Sequence, residues 1–284
     1  MLNKTIYTFW EPKDKIMPYL ELCMKSWKPY IKGFEHVMID YSNLFDYIPV
    51  GSLDIDKIKH VQLSIQKDAI QAAVFKYNGG VFLDADMIIT GDLNPFFGLL
   101  DKYDAVNFST HLAFMMVKPG TQLVDEWYAE VVRRIDNLPP NSPVDWDYFG
   151  NQIVNSKLKN KKYNALIIDK YKSAFTPEIN YFVNKGDPEA MYKNFWFSDK
   201  IGTEEVFYKN QSIIALHNSW TPSAYQALDM EAILAHPSLL SRTLVETSRG
   251  LDVSMYRRTS IFQLAAIQFH RVVKAIQKRI LSRF

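Results

Sequence analysis

The sequence predicts an α/β fold with a mixed, mostly parallel central sheet and a C-terminal amphipathic helix. Short apolar runs rich in β-branched residues alternate along the chain with longer segments of helical periodicity. The 284-residue chain is 48% hydrophobic and 23% charged, which is typical of a globular protein with a large core and excludes a disordered one. The sequence contains no internal repeat and no low-complexity linker.

Elements in the first hundred residues follow from periodicity and from their terminators. Helices are expected to end before Pro29 and at Gly79-Gly80, because proline cannot continue a helix and glycine caps one. Pro95 predicts a loop around it. The predicted elements are strands at 5–10, 36–40 and 81–83, helices at 19–27 and 65–77, and a loop at 92–97.

The second half of the chain has shorter strand signals and one long helical pattern. A stretch at 139–143 contains three prolines and is predicted to be a loop that lines a cleft. We expect one domain over 1–245, followed by a tail over 246–284. The predicted elements are strands at 105–108, 113–117, 165–168 and 212–216, and a helix at 123–135.

The most informative motif is the segment 78–86, Asn-Gly-Gly-Val-Phe-Leu-Asp-Ala-Asp, in which an apolar strand ends on two carboxylates. Buried charge destabilises a strand, so Asp84 and Asp86 are expected where the chain leaves the sheet and faces a cleft. Carboxylate oxygens suit Mg²⁺ or Mn²⁺, which often bind one or two protein carboxylates together with substrate phosphates. Alternatively, the two aspartates only end the strand and bind water.

Charge and cysteine content restrict the class of protein. The net charge of +2 argues against a dedicated nucleic-acid binder. Cys23 is the sole cysteine, so no internal disulfide can form and a reducing cytoplasm is expected. The first residues lack a charged region followed by a long apolar stretch, and no run of about 18 apolar residues occurs. We therefore expect neither secretion nor a membrane span.

An ordered set of residues resembles glycosyltransferase family 32, the DxD-motif sugar transferases that include capsular and surface-polysaccharide enzymes. The set comprises Trp10, Asp68, the segment 77–86 and His217-Asn218-Ser219-Trp220. The resemblance covers roughly residues 1–222 and depends on the whole set, since a lone Asp-x-Asp is a weak motif. It implies a GT-A-type catalytic domain over 1–245, a nucleotide-sugar donor and retention of the anomeric configuration.

The resemblance also implies roles for individual residues. Asp84 and Asp86 would hold Mn²⁺ or Mg²⁺ against the leaving diphosphate, with Asp86 as the direct ligand and Asp84 bonding the ribose or the metal. His217 would be a further metal ligand or a diphosphate contact. Trp10 matches the aromatic residue that stacks on the nucleobase, and Asp68 matches the acid that bonds donor-sugar hydroxyls. The donor-binding residues implied in this way are Trp10, Asp68, Gln71, Asp84, Ser219 and Trp220.

The sequence departs from this pattern at two positions. Gln71 stands where many relatives have arginine, which removes a cationic contact to the donor, although an amide still hydrogen-bonds a sugar. Phe82 stands where tyrosine is common. Structural alternatives also exist for Trp10 as a core residue, Asp68 as a helix cap and His217 as a structural histidine.

The segment 145–152, Asp-Trp-Asp-Tyr-Phe-Gly-Asn-Gln, is crowded with polar and aromatic side chains. Aromatic faces bind the apolar faces of sugar rings, and carboxylates or amides bind hydroxyls, so we expect this segment to contact the acceptor or the reacting carbon. In related retaining folds an acid or amide from a comparable region lies under the anomeric carbon. We therefore predict Asp147, Asn151 and Gln152 as catalytic residues, although the segment could equally begin a helix.

The tail over 246–284 is predicted to be a basic amphipathic helix. Apolar side chains recur at helical spacing from residue 259 onward, with basic residues on the other faces. Such a helix either packs on the catalytic domain or a second subunit, or docks on an anionic membrane, where a polyprenyl-linked acceptor is found. The residues after Asp252 include no acid and seven bases: Arg257, Arg258, Arg271, Lys274, Lys278, Arg279 and Arg283.

Taken together, the sequence predicts a cytoplasmic hexosyltransferase at the inner face of the cell membrane that extends a bacterial surface glycan. UDP-hexose is favoured over GDP-mannose as donor, with a glycan or polyprenyl-linked acceptor and no nucleic-acid partner. One alternative is a non-catalytic carbohydrate-binding protein. A second is a haloacid-dehalogenase-type phosphotransferase, which also uses Asp-x-Asp after an apolar strand, but Ile88 stands where that class usually has Thr or Val.

Overall fold

The computed structural model describes residues 3–108, 111–139, 143–160, 162–168, 187–207 and 212–250. The strands in this part of the chain are β1 (Thr5–Phe9), β2 (Glu35–Ile39), β3 (Gly80–Leu83), β4 (Met87–Ile89), β5 (Ala105–Phe108), β6 (His111–Val117), β7 (Ala165–Ile168) and β8 (Ile213–Ala215). The α-helices are α1 (Pro18–Trp27), α2 (Ile55–Ile58), α3 (Leu63–Asn78), α4 (Asn94–Phe97), α5 (Gln122–Asp136), α6 (Asn151–Leu158), α7 (Pro188–Trp196), α8 (Glu204–Phe207), α9 (Ser223–Gln226), α10 (Met230–Ala235) and α11 (Leu239–Ser248).

Six of these strands form a central sheet in the order β2-β1-β3-β6-β5-β7, and β4 and β8 form a separate two-stranded sheet. β1 pairs in parallel with β2 and β3, and β5 pairs in parallel with β7. β6 runs antiparallel to its neighbours β3 and β5. The predicted α/β class with a mixed, mostly parallel sheet is therefore confirmed.

Helices cover both faces of this sheet, which explains why its strands read as nearly continuous apolar runs. Successive side chains of a strand point to opposite faces. In β3, Val81 and Leu83 pack in the hydrophobic cluster that contains α1 and α11, whereas Phe82 packs in the cluster that contains α3 and α5.

The turn from α3 into β3 requires both glycines of Gly79-Gly80. Their φ angles are +64° and +94°, a backbone region that residues with a Cβ rarely adopt. A Cβ at Gly80 would lie 2.9 Å from Thr5 O, and one at Gly79 would lie 2.6 Å from Pro119 Cδ. The two glycines thus let β3 begin directly beside β1, which fixes where the following aspartates emerge.

The structure corrects two details of the sequence-based prediction. The predicted loop at 92–97 contains the helical turn α4, because Pro95 sits in its first turn, where a missing N–H costs no hydrogen bond. Asp92 Oδ1 also accepts the Asn94 N–H at 3.0 Å. The predicted strand at 212–216 is present as β8, but it pairs with β4 outside the central sheet.

The helices α9 to α11 were not predicted, and α11 continues to Ser248, past the predicted domain boundary at 245. Within the described residues, no helix has the length and apolar character needed to cross a membrane. The amphipathic-helix prediction for the tail concerns residues that lie, from 251 onward, outside the described part of the chain. That prediction and the proposed division into two units stay predictions.

Candidate active site

Trp10, Asp40 and Asp84 each directly follow a strand and meet at one edge of the central sheet. The Trp10 N–H donates to Ile39 O at 3.0 Å, and the Asp84 N–H donates to Ala113 O at 2.9 Å, so both positions continue the strand pairing. Because β1, β2 and β3 are parallel, their carboxyl ends share this edge. In open α/β sheets the crevice outside the carboxyl ends is where ligands bind.

The pairing of β4 with β8 brings the distal segment 217–220 to Asp86. The Leu216 N–H donates to Asp86 O at 3.0 Å, and the Asn218 N–H donates to Asp86 Oδ2, also at 3.0 Å. Tyr19 donates its hydroxyl to Asn218 Oδ1, which anchors the same turn. Two motifs separated by about 130 residues in the sequence thus form one site.

Asp86 is a partly buried acid whose pKa is strongly raised. Burial of the carboxyl group and, to a smaller extent, the negative charge of Asp84 together raise the pKa of Asp86 to about 7, against the lowering effect of the Asn218 N–H. A carboxylate that is costly to ionise by itself is stabilised by a nearby cation. The environment of Asp86 therefore favours a positively charged partner.

Lys67 supplies one such positive charge, and no sequence motif indicated it. Its Nζ lies 2.8 Å from Asp68 Oδ1, 3.1 Å from Asp84 Oδ1 and 3.4 Å from Gln71 Oε1. Only 12% of the Lys67 side chain is exposed. Burial alone would lower the pKa of Lys67, but the charges of Asp68 and Asp84 outweigh it and raise the pKa, so the ammonium stays charged.

Asp68 lies in the second turn of α3, which begins at Leu63, so it does not cap the helix. Burial raises the pKa of Asp68, as do the negative charges of Asp84 and Asp147, while Lys67 acts in the opposite direction. A Cβ on Gly150 would lie 2.0 Å from Asp68 Oδ2. The predicted donor-binding acid therefore packs against the segment predicted to face the reacting carbon.

The donor atoms fit a hard divalent cation. Asp84 Oδ1 is buried, and although it is ion-paired with Lys67, it receives no hydrogen bond of good geometry from the described residues. Among those residues, no three His, Cys, Asp or Glu side chains are grouped closely enough to hold a metal together. A cation here would therefore have Asp84 and Asp86 as protein ligands, with substrate oxygens completing its coordination, which is the pattern of Mg²⁺ sites.

His217, predicted as a third ligand, packs within an aromatic group. Its ring lies 4.0 Å from the Trp220 ring, centroid to centroid, and 5.8 Å from that of Tyr192. Trp220 is partly buried through the same contacts, whereas Ser219 is exposed. The turn that carries these residues adjoins Asp86 through its backbone, while the assignment of His217 to a metal stays a prediction.

The three predicted catalytic residues have different surroundings. Asp147 lies close enough to Asp68 to affect its pKa. Asn151 begins α6, and its buried Oδ1 has no hydrogen-bond partner among the described residues. Gln152 is exposed, donates to Asp147 Oδ1 at 3.0 Å and accepts from Arg134 Nη1 at 3.1 Å. Asp147 is thus the one of the three whose charge acts on Asp68, and Gln152 holds its carboxylate by a hydrogen bond; the catalytic roles of all three stay predictions.

Two of the implied donor contacts are less accessible than expected. Gln71 is fully buried, and its Nε2 donates to Leu112 O at 3.2 Å, while its Oε1 faces Lys67. The Gln71 amide is therefore linked to Asp68 and Asp84 through Lys67, which contacts all three side chains. Trp10 is half-buried and packs partly against the hydrophobic core beside α1.

Asp40 is a further candidate for the site, and it was not among the residues predicted from the sequence. It is buried at the end of β2 and accepts from Lys13 Nζ at 3.2 Å and from the Ser42 N–H at 3.0 Å. Burial would raise the pKa of Asp40, but the hydrogen bonds from Ser42 and Lys13 outweigh it and lower the pKa. The sequence contains the feature that could have identified Asp40, because this aspartate directly follows the apolar end of a strand, as Asp84 does.

Comparison with solved structures finds similarity to three glycosyltransferases. GlyE of Streptococcus pneumoniae TIGR4 in its apo form is a glycosyltransferase with 12% identity and a TM-score of 0.46; the match covers 90% of this chain and 62% of GlyE. The galactosyltransferase LgtC, solved with donor and acceptor sugar analogs, has 9% identity and a TM-score of 0.42, and the match covers 87% of this chain and 96% of LgtC. A glycosyltransferase involved in glycosylating the major capsid of PBCV-1 has 14% identity and a TM-score of 0.36, with 59% and 82% covered.

These three similarities have TM-scores below 0.5, so they assign neither a substrate nor a mechanism to this chain. The chain also spans less than two thirds of the length of GlyE. No curated protein matches the sequence. Residues 1–171, more than half of the chain, match the model of a family described as capsular polysaccharide synthesis protein. The chain therefore belongs to the capsular polysaccharide synthesis protein family.

Proposed function

We propose that this protein is a retaining, Mn²⁺- or Mg²⁺-dependent hexosyltransferase of the family 32 type that acts in bacterial surface-polysaccharide synthesis. Its donor is a nucleotide sugar, with UDP-hexose ahead of GDP-mannose, and its acceptor is a glycan or a polyprenyl-linked sugar. Membership of the capsular polysaccharide synthesis family supports this class of product. The observation that carries the proposal is the meeting of Asp84, Asp86 and Asp68 at the carboxyl edge of the parallel strands.

The donor half of the proposal follows from the charge that develops on a leaving diphosphate. A divalent cation held by Asp84 and Asp86 would, when bound, neutralise that charge. Trp10 and Asp40 lie at the ends of the neighbouring strands, where an aromatic face and a carboxylate suit a nucleoside. Asp68 lies on α3, close enough to Asp84 and Asp147 for their charges to raise its pKa, and its carboxylate suits the hydroxyls of the donor sugar.

The acceptor half of the proposal depends on the segment that packs on Asp68. Trp146 is 61% exposed, although a large aromatic side chain is usually buried. It stands next to Asp147, whose charge reaches Asp68. An exposed tryptophan beside carboxylates is a suitable platform for the apolar face of an acceptor sugar.

A nucleotide-sugar panel tests this proposal. The protein should melt at a higher temperature with one UDP-hexose in the presence of Mn²⁺, because a ligand that binds only the folded state stabilises it. It should also hydrolyse that donor slowly without an acceptor, and NMR of the released sugar should show retention. A binding protein would be stabilised without hydrolysis, and a phosphotransferase would instead attack simple phosphate esters; either result would contradict the proposal.

The proposed location is the inner face of the cell membrane, with the basic tail docked on anionic lipid. The support is the sequence of residues 253–284, which combines seven basic residues with apolar residues at helical spacing. A polyprenyl-linked acceptor would be presented at the same surface.

A further inference from the structure

Within the part of the chain that the structure describes, the contacts of the Lys67 ammonium are with groups of the candidate site. An ammonium group donates three hydrogen bonds, and three oxygens lie within 3.4 Å of Nζ, on Asp68, Asp84 and Gln71. With 12% of its side chain exposed, Lys67 is not available as a general surface charge. Its ammonium is thus a resident cation of the carboxylate cluster.

The resident cation and any incoming cation share one ligand. Asp84 Oδ1 is the atom that Lys67 contacts, and it is also an oxygen of the motif proposed to hold the metal. Two positive charges on the same carboxylate repel each other, and in a partly buried site this repulsion is only weakly screened. Lys67 therefore lowers the negative potential that would otherwise attract a free divalent ion.

We propose that Lys67 is a tethered competitor for Asp84, so that a free divalent cation binds weakly and binds tightly only together with the diphosphate of the donor. This inference rests on the proposed function. The diphosphate adds negative charge that Lys67 does not neutralise, so it restores the attraction for the cation. Lys67 thereby couples cation binding to donor binding, and acts as a positioning residue through its contact with Asp84.

The test measures Mn²⁺ binding to the full chain by electron paramagnetic resonance of the free ion, with and without UDP. Lys67→Met and Lys67→Gln remove the charge, the second keeping a hydrogen-bond donor, and Lys67→Arg retains the charge. Lys76→Met is the matched control, because Lys76 lies on the same helix but pairs with Asp125 at 2.7 Å. We expect both neutral variants to bind Mn²⁺ alone about tenfold more tightly than wild type, with a smaller gain from UDP.

Lys67→Arg and Lys76→Met should bind Mn²⁺ as wild type does. Equal or weaker Mn²⁺ binding by folded Lys67→Met and Lys67→Gln overturns the inference. Loss of the fold in both neutral variants assigns Lys67 a structural role and overturns it as well.

The same titration separates this inference from the proposed function. A wild-type protein that binds no Mn²⁺ even with UDP contradicts metal dependence. In that case the competitor role survives only if the neutral variants bind the ion, and it fails if they do not. Normal Mn²⁺ and UDP binding by wild type with no change in the variants removes the competitor role alone.

Discussion

The carboxylate of Asp68 lies directly against the backbone of Gly150. A methyl group at residue 150 would come 2.0 Å from Asp68 Oδ2 and 2.6 Å from its Cγ, distances at which one of the two must move. Gly150 immediately precedes α6, and Asp68 is on α3. This contact ties the predicted donor-binding acid to the segment predicted to face the reaction.

Gly150→Ala is expected to destabilise the fold by about 1–3 kcal/mol, the usual cost of overpacking a filled core, and to weaken nucleotide-sugar binding. The added methyl group would displace the Asp68 carboxylate, which accounts for the weaker binding, and would also lie 2.9 Å from Leu112 Cδ1, which adds to the destabilisation. Denaturant unfolding and donor titration measure them. Gly98→Ala is the control, since its Cβ would meet nothing within 4 Å and its φ is −60°. Equal behaviour of the two variants would show that the contact with Asp68 tolerates a methyl group.

Asp86→Asn is expected to abolish transfer, by at least about a hundredfold, while leaving folding intact. The charge that could hold a cation is lost, but the amide oxygen can still accept the Asn218 N–H that now reaches Oδ2. Because burial and the charge of Asp84 raise the pKa of Asp86 to about 7, removing its charge should leave the free energy of unfolding at neutral pH unchanged or slightly higher.

The control for this variant is Asp104→Asn, which removes an acid paired with Lys118 just before β5, at the opposite edge of the sheet. Its transfer rate should match that of wild type. Substantial turnover by Asp86→Asn would exclude Asp86 as a ligand.

The strand-ending aspartates were predictable because their signal is local. An apolar run that ends in carboxylates marks a sheet edge, and this holds for Asp84 and equally for Asp40. The helix before Gly79-Gly80 follows from periodicity and from two glycines at positive φ. What these elements share is that a few consecutive residues decide them.

Lys67 and the two-stranded sheet were not predictable, because they depend on contacts distant in the sequence. Nothing in the neighbourhood of Lys67 indicates that its ammonium is buried between Asp68 and Asp84. Likewise, β4 is only three residues long and is a strand because β8 pairs with it. The loop predicted around Pro95 is wrong for a different reason, since proline also favours the first turn of a helix.

Trp146→Ala is expected to raise KM for the acceptor about tenfold, with little change in kcat, KM for the donor or the melting temperature. The side chain is 61% exposed, so its removal leaves no cavity in the core. Tyr77→Ala is the matched control: Tyr77 is 40% exposed, and it lies just before β3, at the opposite edge of the sheet. An unchanged KM for every acceptor tested would remove Trp146 from the acceptor site.

Asp40→Asn should be less stable than wild type at neutral pH, and the difference should shrink in acid. Hydrogen bonds from Ser42 and Lys13 lower the pKa of Asp40 below its ordinary value of 3.8. Stability from the ionised form is therefore present above pH 3.8 and is lost as the pH falls through the folded-state pKa. Urea unfolding at a series of pH values measures it, and a difference that does not depend on pH would assign the effect to packing.

Neutralising the tail with Arg271→Gln, Lys274→Gln and Lys278→Gln together should weaken binding to anionic vesicles about a hundredfold. Each basic residue near such a surface contributes roughly 1 kcal/mol to binding. Neutralising three of them therefore costs about 3 kcal/mol, which corresponds to about a hundredfold in affinity, because about 1.4 kcal/mol is a factor of ten. Sedimentation with vesicles of anionic and of zwitterionic lipid measures the effect, and a form lacking residues 253–284 shows how much binding remains without the tail. Docking through the charge of the tail requires wild type to pellet more than the neutralised and the shortened forms. If all three forms pellet equally with anionic vesicles, the tail packs on protein instead.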